Sequence, residues 1–137
     1  MTPSRGAKSP RELLATFVAG VAAGDVAGIA GSYAADAVVS LPRGREAAGL
    51  PAIRLAYAAA LAAGVALGVD ESMVDSAVAR ARVIETGPLS MVSFTGVDGA
   101  VRTLVAWRGD DGWAWVRDGS MLRDVEAALG AGLSDVA

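Results

Sequence analysis

The spacing of apolar residues changes along this chain from a helical period in the first half to a strand period in the second half. Apolar residues between Leu13 and Val21 recur three and four positions apart, as on one face of an α-helix. After Gly64 the chain instead predicts short strands separated by turn sequences. Helices followed by hairpins are typical of the α+β class, in which helices cover one face of an antiparallel sheet.

Helix-capping residues predict three helices in the first half. Ser9 can cap the first helix with Pro10 at its first position, and Asp25 can cap the second. Pro51 falls in the first turn of the third helix. The expected elements are helices from Pro10 to about Gly24, from Val26 to about Tyr33 and from Gly49 to about Ala63, with a strand from Ala37 to Leu41 before the third helix.

Turn sequences divide the second half into five expected strands. Asp98-Gly99 and Asp111-Gly112 carry the Asp-Gly pair, which is the strongest short-range signal for a β-hairpin. Consecutive hairpins predict an antiparallel meander. The expected strands cover residues 65–69, 74–85, 89–97, 101–108 and 113–122.

The length of 137 residues is that of one ordinary domain with one core. We expect a flexible N-terminal tail over residues 1–9, the folded domain over 10–122, and a C-terminal tail or short helix over 123–137.

The composition excludes several classes of active site. The chain has no cysteine and no histidine, which excludes Ser-His-Asp and Cys-His nucleophiles, zinc held by His or Cys, iron–sulfur clusters and disulfides. Its one lysine, Lys8, falls in the expected tail, which argues against a buried Schiff-base lysine. Acid–base chemistry must therefore come from Asp, Glu or Tyr. We expect no metal, nucleotide or covalent cofactor.

Charge and hydropathy bear on partners and location. Twelve basic and fifteen acidic residues give a net charge of -3, without the basic surplus that nucleic-acid binding needs. No apolar run is long enough to span a membrane, and no apolar block follows the first ten residues as in a signal peptide. We expect a cytoplasmic protein with neither nucleic acid nor membrane as partner. The preference for arginine over lysine, with abundant Ala and Gly, suggests a GC-rich bacterial genome.

The segment from Phe17 to Val39 resembles the opening of SnoaL-like and ketosteroid isomerase-like members of the nuclear transport factor 2-like superfamily. The shared pattern is a helix, an Ala-Gly-Asp corner ending at Asp25, an aromatic at Tyr33, and Ala-x-Asp-Ala-x-Val entering the first strand. The glycine loop from Gly44 to Gly49 and the hairpin at Asp111-Gly112-Trp113 also resemble that family. The resemblance implies a cone-shaped fold, with three N-terminal helices packed on a curved antiparallel sheet.

The resemblance also implies which positions face the interior of the cone. Three positions that carry a tyrosine and two aspartates in the isomerase branch hold Phe17, Leu41 and Thr103 here, so isomerisation of the steroid type is not supported. The epoxide hydrolase branch uses an Asp-Arg-Asp set, of which Arg102 and Asp118 supply two members at best.

Asp118 is then the candidate catalytic residue, because cyclase-like members carry an acidic residue in the last strand. In a regular strand the side chains of Asp118, Val116 and Ser120 lie on one face, and that of Trp115 lies on the other face. A bulge at Gly119 would change this arrangement. A carboxyl inside an apolar cone is suited to general acid–base catalysis. The alternative is an ion pair of Asp118 with Arg117, Arg123 or Arg102.

Six further residues are expected to bind a substrate in the cone. The tyrosine hydroxyls either donate to a ligand or are satisfied within the core, and the tryptophans either stack on a flat ligand or pack in the core. An acidic patch over residues 70–75 lacks the spacing of a calcium loop and is expected to be a solvated edge. The expected substrate-binding residues are Phe17, Tyr33, Leu41, Tyr57, Thr103 and Trp115.

Two functions remain open. One is a small-molecule-binding SnoaL-like protein that acts as a cofactor-independent cyclase, isomerase or hydrolase on an apolar, polyketide- or terpenoid-like substrate. The alternative is a non-catalytic ligand-binding or protein-association module. An outer sheet face rich in Val, Phe94 and Trp would leave an apolar patch in water, which favours a homodimer.

Overall fold

The computed structural model describes residues 6–65 and 67–123. Over these residues, helices in the first half pack on a curved, mostly antiparallel sheet of six strands, which confirms the expected α+β class. Two 3-10 turns, Pro42–Gly44 and Glu71–Met73, lie between elements. The helices are α1 (Pro10–Ala23), α2 (Val26–Gly31), α3 (Leu50–Ala62) and α4 (Val74–Arg80), and the strands are β1 (Tyr33–Ser40), β2 (Glu46–Ala48), β3 (Arg82–Thr86), β4 (Leu89–Thr95), β5 (Val101–Gly109) and β6 (Gly112–Asp118).

The predicted caps form as expected. The Ser9 hydroxyl oxygen accepts from the Glu12 backbone N–H at 3.1 Å, and Asp25 Oδ1 accepts from the Gly28 N–H at 3.0 Å. Gly24 ends α1 in the left-handed region, at a φ of 68°, where a side chain would be strained. The apolar stripe of α1 is buried, and the helix contacts β4 and β6 of the sheet.

The strand order is β2-β1-β6-β5-β4-β3, so β1 lies beside the last strand. β1 and β6 run parallel, while all other neighbouring pairs are antiparallel. The run β3–β4–β5–β6 is the predicted meander. This topology places Tyr33, at the start of β1, opposite Trp115 of β6.

The expected strand over residues 74–85 is wrong in its first half. Residues 74–80 form α4, and only Arg82–Thr86 form a strand. Ala77 is buried, and Val74 and Val78 on either side of it are half-buried, so they form a helical stripe that a short apolar run does not distinguish from a strand. The Arg11 guanidinium donates to the Val78 and Ala81 carbonyls and so satisfies the end of α4.

The sequence also misses β2 and overstates another strand. The described residues of the expected strand 65–69 are not in a strand, whereas Glu46–Ala48 pairs with β1. A segment of three residues is too short to show a periodic pattern. The expected C-terminal helix lies outside the described residues apart from Arg123. Within the expected N-terminal tail, Ala7 is buried and forms an isolated antiparallel bridge with Trp113.

The expectation that Phe94 lies on the outer face of the sheet is wrong. This side chain is buried and faces the helices, because it alternates with exposed neighbours along β4. The outer face instead exposes Ile84, Met91 and Trp107. Trp113 and Trp115 are core residues. None of the helices over residues 6–65 and 67–123 has both the length and the hydropathy needed to cross a bilayer.

Candidate functional site

Asp118 lies at the end of β6 and is completely buried, facing the helices. The pairing of β5 with β6 shifts between Val105 and Ala106, so that Leu104 opposes Asp118 whereas Ala106 opposes Trp115. This irregularity at residues 116–117 turns both Trp115 and Asp118 inward. The expectation that they lie on opposite faces is therefore wrong, because the bulge falls before Asp118 and not at Gly119.

Two backbone N–H groups hold one oxygen of this carboxylate. Asp118 Oδ1 accepts from the N–H groups of Ser120 and Met121, each at 3.0 Å. The Ser120 hydroxyl in turn donates to the Thr103 carbonyl and accepts from the Thr103 N–H. The turn after β6 thus fixes the orientation of the carboxylate. An Asp followed two residues later by Ser is a turn signal that could have predicted these contacts from the sequence.

Two tyrosine hydroxyls hold the other oxygen. The Tyr33 hydroxyl donates to Asp118 Oδ2 at 2.7 Å and the Tyr57 hydroxyl at 3.2 Å. The two hydroxyls are themselves 2.7 Å apart. The three oxygens therefore form a closed triangle, contributed by β1, α3 and β6.

Burial and the neighbouring carboxylate raise the pKa of both tyrosines well above its ordinary value. The largest cause is desolvation, which disfavours the phenolate, and the Asp118 charge adds to it. Both hydroxyls hence remain protonated donors at neutral pH. They are suited to stabilising a carboxylate or polarising a carbonyl, and unsuited to act as bases.

Aromatic rings enclose the triangle. Phe17 of α1 meets Tyr33, Tyr57 and Trp115 edge to face, with ring centroids 5.8–6.5 Å apart. Phe17, Tyr57 and Trp115 are wholly buried. The sequence-predicted residues Phe17, Tyr33, Tyr57, Trp115 and Asp118 are thus brought together in one cluster, which we call the tyrosine–aspartate cluster.

Two other predicted residues lie elsewhere. Thr103 alternates with the buried Arg102 and Leu104 along β5, and its hydroxyl lies 2.9 Å from that of Ser93. Leu41 lies beyond β1, where its N–H donates to the Arg45 carbonyl, and it lines a different cleft. Neither residue contributes its side chain to the tyrosine–aspartate cluster.

Two of the three arginines that the sequence offered as partners of Asp118 pair with other carboxylates. Arg117 pairs with Glu46 at 3.0 Å, and Arg102 pairs with Asp98 at 2.9 Å. Both oxygens of Asp118 are instead occupied by neutral donors. The ion pairs expected with Arg117 and Arg102 do not form.

Ser90 is missed by the sequence analysis, and it lies in the same row of paired residues across the sheet as Trp115 and Tyr33. Ser90 of β4 opposes Ala106, Ala106 opposes Trp115, and Trp115 opposes Tyr33. Ser90 Oγ and Trp115 Nε1 are buried, and neither has a hydrogen-bond partner in the described part of the chain. No group of three acidic residues over 6–65 and 67–123 is arranged to hold a metal ion.

Three of the open clefts formed by residues 6–65 and 67–123 bear on access to this core. Their volumes are about 550, 620 and 410 Å³. Of the cluster residues, Tyr33 lines the second cleft, and the other four line none of the three. Phe17, Tyr57, Trp115 and Asp118 are wholly buried, so among these three clefts the cluster borders open space only at Tyr33.

Comparisons with known proteins agree on the fold. A Novosphingobium aromaticivorans protein described as NTF2-like, with a cystatin-like fold, is 22% identical, with a TM-score of 0.55 over 88% of this chain and 84% of its own. A Mycobacterium tuberculosis protein of unknown function is 14% identical, with a TM-score of 0.59 over 90% of this chain and 85% of its own. This chain has the nuclear transport factor 2-like fold.

A third similar structure with this fold comes from Thiobacillus denitrificans and is named for the association domain of calcium/calmodulin-dependent protein kinase type II. It is 18% identical, with a TM-score of 0.54 over 83% of this chain and 94% of its own. No protein-family model and no curated protein matches the chain. At these identities the nuclear transport factor 2-like fold is shared, and the function must be argued from the site.

Proposed function

We propose that this protein binds a small, mostly apolar molecule with an oxygen function, such as a carbonyl, beside the tyrosine–aspartate cluster. The observation that carries the proposal is the pair of buried polar atoms without partners, Trp115 Nε1 and Ser90 Oγ. An unpaired buried polar group costs about 1–3 kcal/mol. A ligand oxygen that accepts from the Trp115 N–H and the Ser90 hydroxyl would remove this cost.

The surroundings suit an apolar ligand body. Phe17 covers the cluster from α1, and Ala106 is the small residue between Ser90 and Trp115 on the sheet. A ligand that enters here must displace the Phe17 ring, which contacts the three other aromatic residues. Apolar, ring-containing molecules of polyketide or terpenoid type can replace those contacts.

Asp118 gives such a site a route to acid–base chemistry. The triangle of oxygens has three contacts but only two phenolic protons, so at most two contacts are hydrogen bonds while the carboxylate is ionised. The contact from Tyr57 to Asp118 is the longest, at 3.2 Å. We propose that Tyr57 donates instead to a ligand carbonyl, while Asp118 Oδ2 removes a proton from the adjacent carbon and returns it at another position. This sequence isomerises or cyclises a substrate without a cofactor.

Replacing Ser90 separates a ligand-binding role from simple packing. Ser90→Ala removes an unpaired buried hydroxyl, so the melting temperature of the free protein should stay the same or rise. The stabilisation by carbonyl-containing apolar compounds in a thermal-shift screen should fall. The exposed Ser72→Ala should alter neither quantity. A Ser90→Ala protein that is less stable when free and binds equally well would contradict the proposal.

Asp118→Asn tests catalysis once a ligand is found. The amide keeps the size and the backbone contacts of the carboxylate but cannot exchange a proton, so turnover should fall about 10²–10⁴-fold with little change in affinity. Asp36→Asn, at an exposed position of β1, is the matched control. Unchanged turnover in Asp118→Asn would exclude Asp118 as the acid–base residue.

A non-catalytic association module is the second candidate, and the outer face of the sheet supports it. Ile84, Met91 and Trp107 are between 48% and 63% exposed there, on neighbouring strands. At the border, Arg117 is neutralised by Glu46, so a second copy meets no unpaired charge from Arg117. The similarity to a structure named for a kinase association domain agrees with this candidate. We propose that two copies pair through this face.

Light scattering tests the homodimer. The mass should be about twice 13.7 kDa at micromolar concentration. Met91→Lys should give the monomer mass, because it places like charges against each other in the interface. Val97→Lys, at an exposed apolar position in the turn after β4, should leave the mass unchanged. A monomeric native protein would contradict the pairing.

A further inference from the structure

The cleft of about 550 Å³ lies between α4 and the strands β3 to β5, away from the tyrosine–aspartate cluster. One wall is a single face of the segment leading through α4, where Met73, Ala77 and Arg80 are four and three residues apart. The opposite wall comes from the strands and from the turn after β4. The volume is within the range of small-ligand pockets.

Two arginines line this cleft. Arg80 ends α4 and Arg82 begins β3, so they flank the buried Ala81 at the junction. Neither guanidinium makes an ion pair or a hydrogen bond to the described residues, and no Asp or Glu lines the cleft. Arg11 adds a further positive charge where it donates to the Val78 and Ala81 carbonyls. This concentration of positive charge contrasts with the net charge of -3 of the whole chain.

One acidic residue, in the turn that lines the cleft, is already paired with another arginine. Asp98, in the turn after β4, accepts two hydrogen bonds from Arg102, at 3.0 and 2.9 Å. It also accepts from the Ala100 N–H. Asp98 is therefore not available to neutralise Arg80 or Arg82, and their fork-shaped donor sets remain open to an external acceptor.

The rest of the lining is mixed. The lining residues include Ser76, Ser93 and Thr95, of which Ser93 already pairs its hydroxyl with that of Thr103, and the apolar residues Met73, Val97 and Val101. Hydroxyls and guanidinium groups together bind phosphate and carboxylate oxygens. The apolar side chains can cover a short hydrocarbon chain attached to such a group.

From this juxtaposition we propose that the cleft is a second binding site, for an organic anion whose phosphate or carboxylate group lies between Arg80 and Arg82 and whose apolar part lies on Met73, Val97 and Val101. This site is independent of the proposed ligand site beside Asp118. It uses no residue of that cluster.

Calorimetric titration of the full chain with hexyl phosphate tests the site. Saturable binding below about 1 mM is expected. Arg80→Gln and Arg82→Gln should each weaken it about tenfold, because each removes charge-assisted hydrogen bonds. Arg54→Gln is the matched control: Arg54 is an exposed arginine in the other large cleft, without a partner among the described residues, and its loss should change affinity less than twofold.

Three further compounds test separately whether the anionic group and the apolar chain contribute to binding. Hexanoate should bind through the same arginines, inorganic phosphate more weakly, and hexanol not measurably. Arg80→Lys and Arg82→Lys should retain part of the affinity, which shows that loss in the Gln variants is not a loss of folding; equal melting temperatures check this directly. The proposal is overturned by no saturable binding of hexyl phosphate, by equal binding of hexanol, or by an Arg54→Gln effect as large as that of Arg80→Gln.

Discussion

Asp118 and Asp98 are both carboxylates with several hydrogen bonds, but they lie in opposite environments. Asp118 is wholly buried and accepts from two neutral phenols and two backbone N–H groups. Asp98 has a side chain that is 48% exposed and accepts from the charged guanidinium of Arg102. Charge compensation by the buried Arg102 thus holds the half-exposed carboxylate, whereas neutral hydrogen-bond donors hold the carboxylate in the core.

The difference indicates what each carboxylate can do. A charge paired with a guanidinium is held in its ionised form and is poorly suited to exchanging protons. The Oδ2 oxygen of Asp118 faces only neutral phenols, whose place a polar group of a ligand can take. The environment of Asp118 is therefore the one that favours chemistry, and that of Asp98 favours structure.

The largest contrast should appear when each carboxylate is truncated. Asp118→Ala leaves two backbone N–H groups and one of the two tyrosine hydroxyls without an acceptor, because the hydroxyls can still bond to each other, so the free energy of unfolding should fall by about 3–5 kcal/mol. Asp98→Ala should cost about 1 kcal/mol, because Arg102 keeps its bond to the Ala100 carbonyl and solvent reaches the site. Urea unfolding followed by tryptophan fluorescence measures both. Equal losses would contradict the comparison.

The tyrosine–aspartate cluster should also make the free energy of unfolding fall at alkaline pH, by about 2.7 kcal/mol per pH unit. Both tyrosines of the chain belong to this cluster, and their pKa is raised in the folded state. Above a pH of about 10 the unfolded chain loses two phenolic protons that the folded protein keeps, so stability falls as the pH rises. Each proton contributes about 1.4 kcal/mol per pH unit to this dependence, and the two tyrosines contribute two protons.

Ultraviolet absorbance of tyrosinate checks this directly. Native protein should show none until it unfolds, and Tyr57→Phe should halve the slope of stability against pH. The chain has no histidine or cysteine and one lysine, so few other side chains titrate in this range. Tyrosinate formation in the folded protein near pH 10 would show that the cluster is open to solvent.

The sequence predicts α1, α2 and α3, the meander and the identity of five cluster residues, because caps, Asp-Gly turns and apolar periodicity are local signals, but it does not predict α4. It does not predict the bulge at residues 116–117, which turns Trp115 and Asp118 to the same side. That bulge depends on pairing with β5 and β1, which are distant in sequence. Ser90 is missed for the same reason, since its register opposite Ala106 is a property of the sheet.

Removing either tyrosine hydroxyl should show which of the two contacts with Asp118 Oδ2 contributes more to the free energy of unfolding. Tyr33→Phe should cost about 2 kcal/mol, because its contact with the carboxylate is 2.7 Å long, and Tyr57→Phe about 1 kcal/mol, because its contact is 3.2 Å long. Thermal and urea unfolding give both values. The reverse order would mean that Tyr57 is the main donor to the carboxylate.

The smallest effect should be the acid sensitivity of the surface pair. Hydrogen bonding to Arg102 holds the pKa of Asp98 well below its ordinary value, so the pair stabilises the fold above the unfolded-state pKa of about 3.9 and loses this contribution as the pH falls below it. Because the Asp98 carboxylate is 48% exposed and screened by salt, Asp98→Asn should cost about 0.5 kcal/mol at neutral pH, and this cost should shrink steadily as the pH falls below about 3.9. Asp36→Asn, at an exposed position, provides the baseline. A cost for Asp98→Asn that persists unchanged in acid would show that the side chain acts through packing or its bond to the Ala100 N–H, and not through the charge of Arg102.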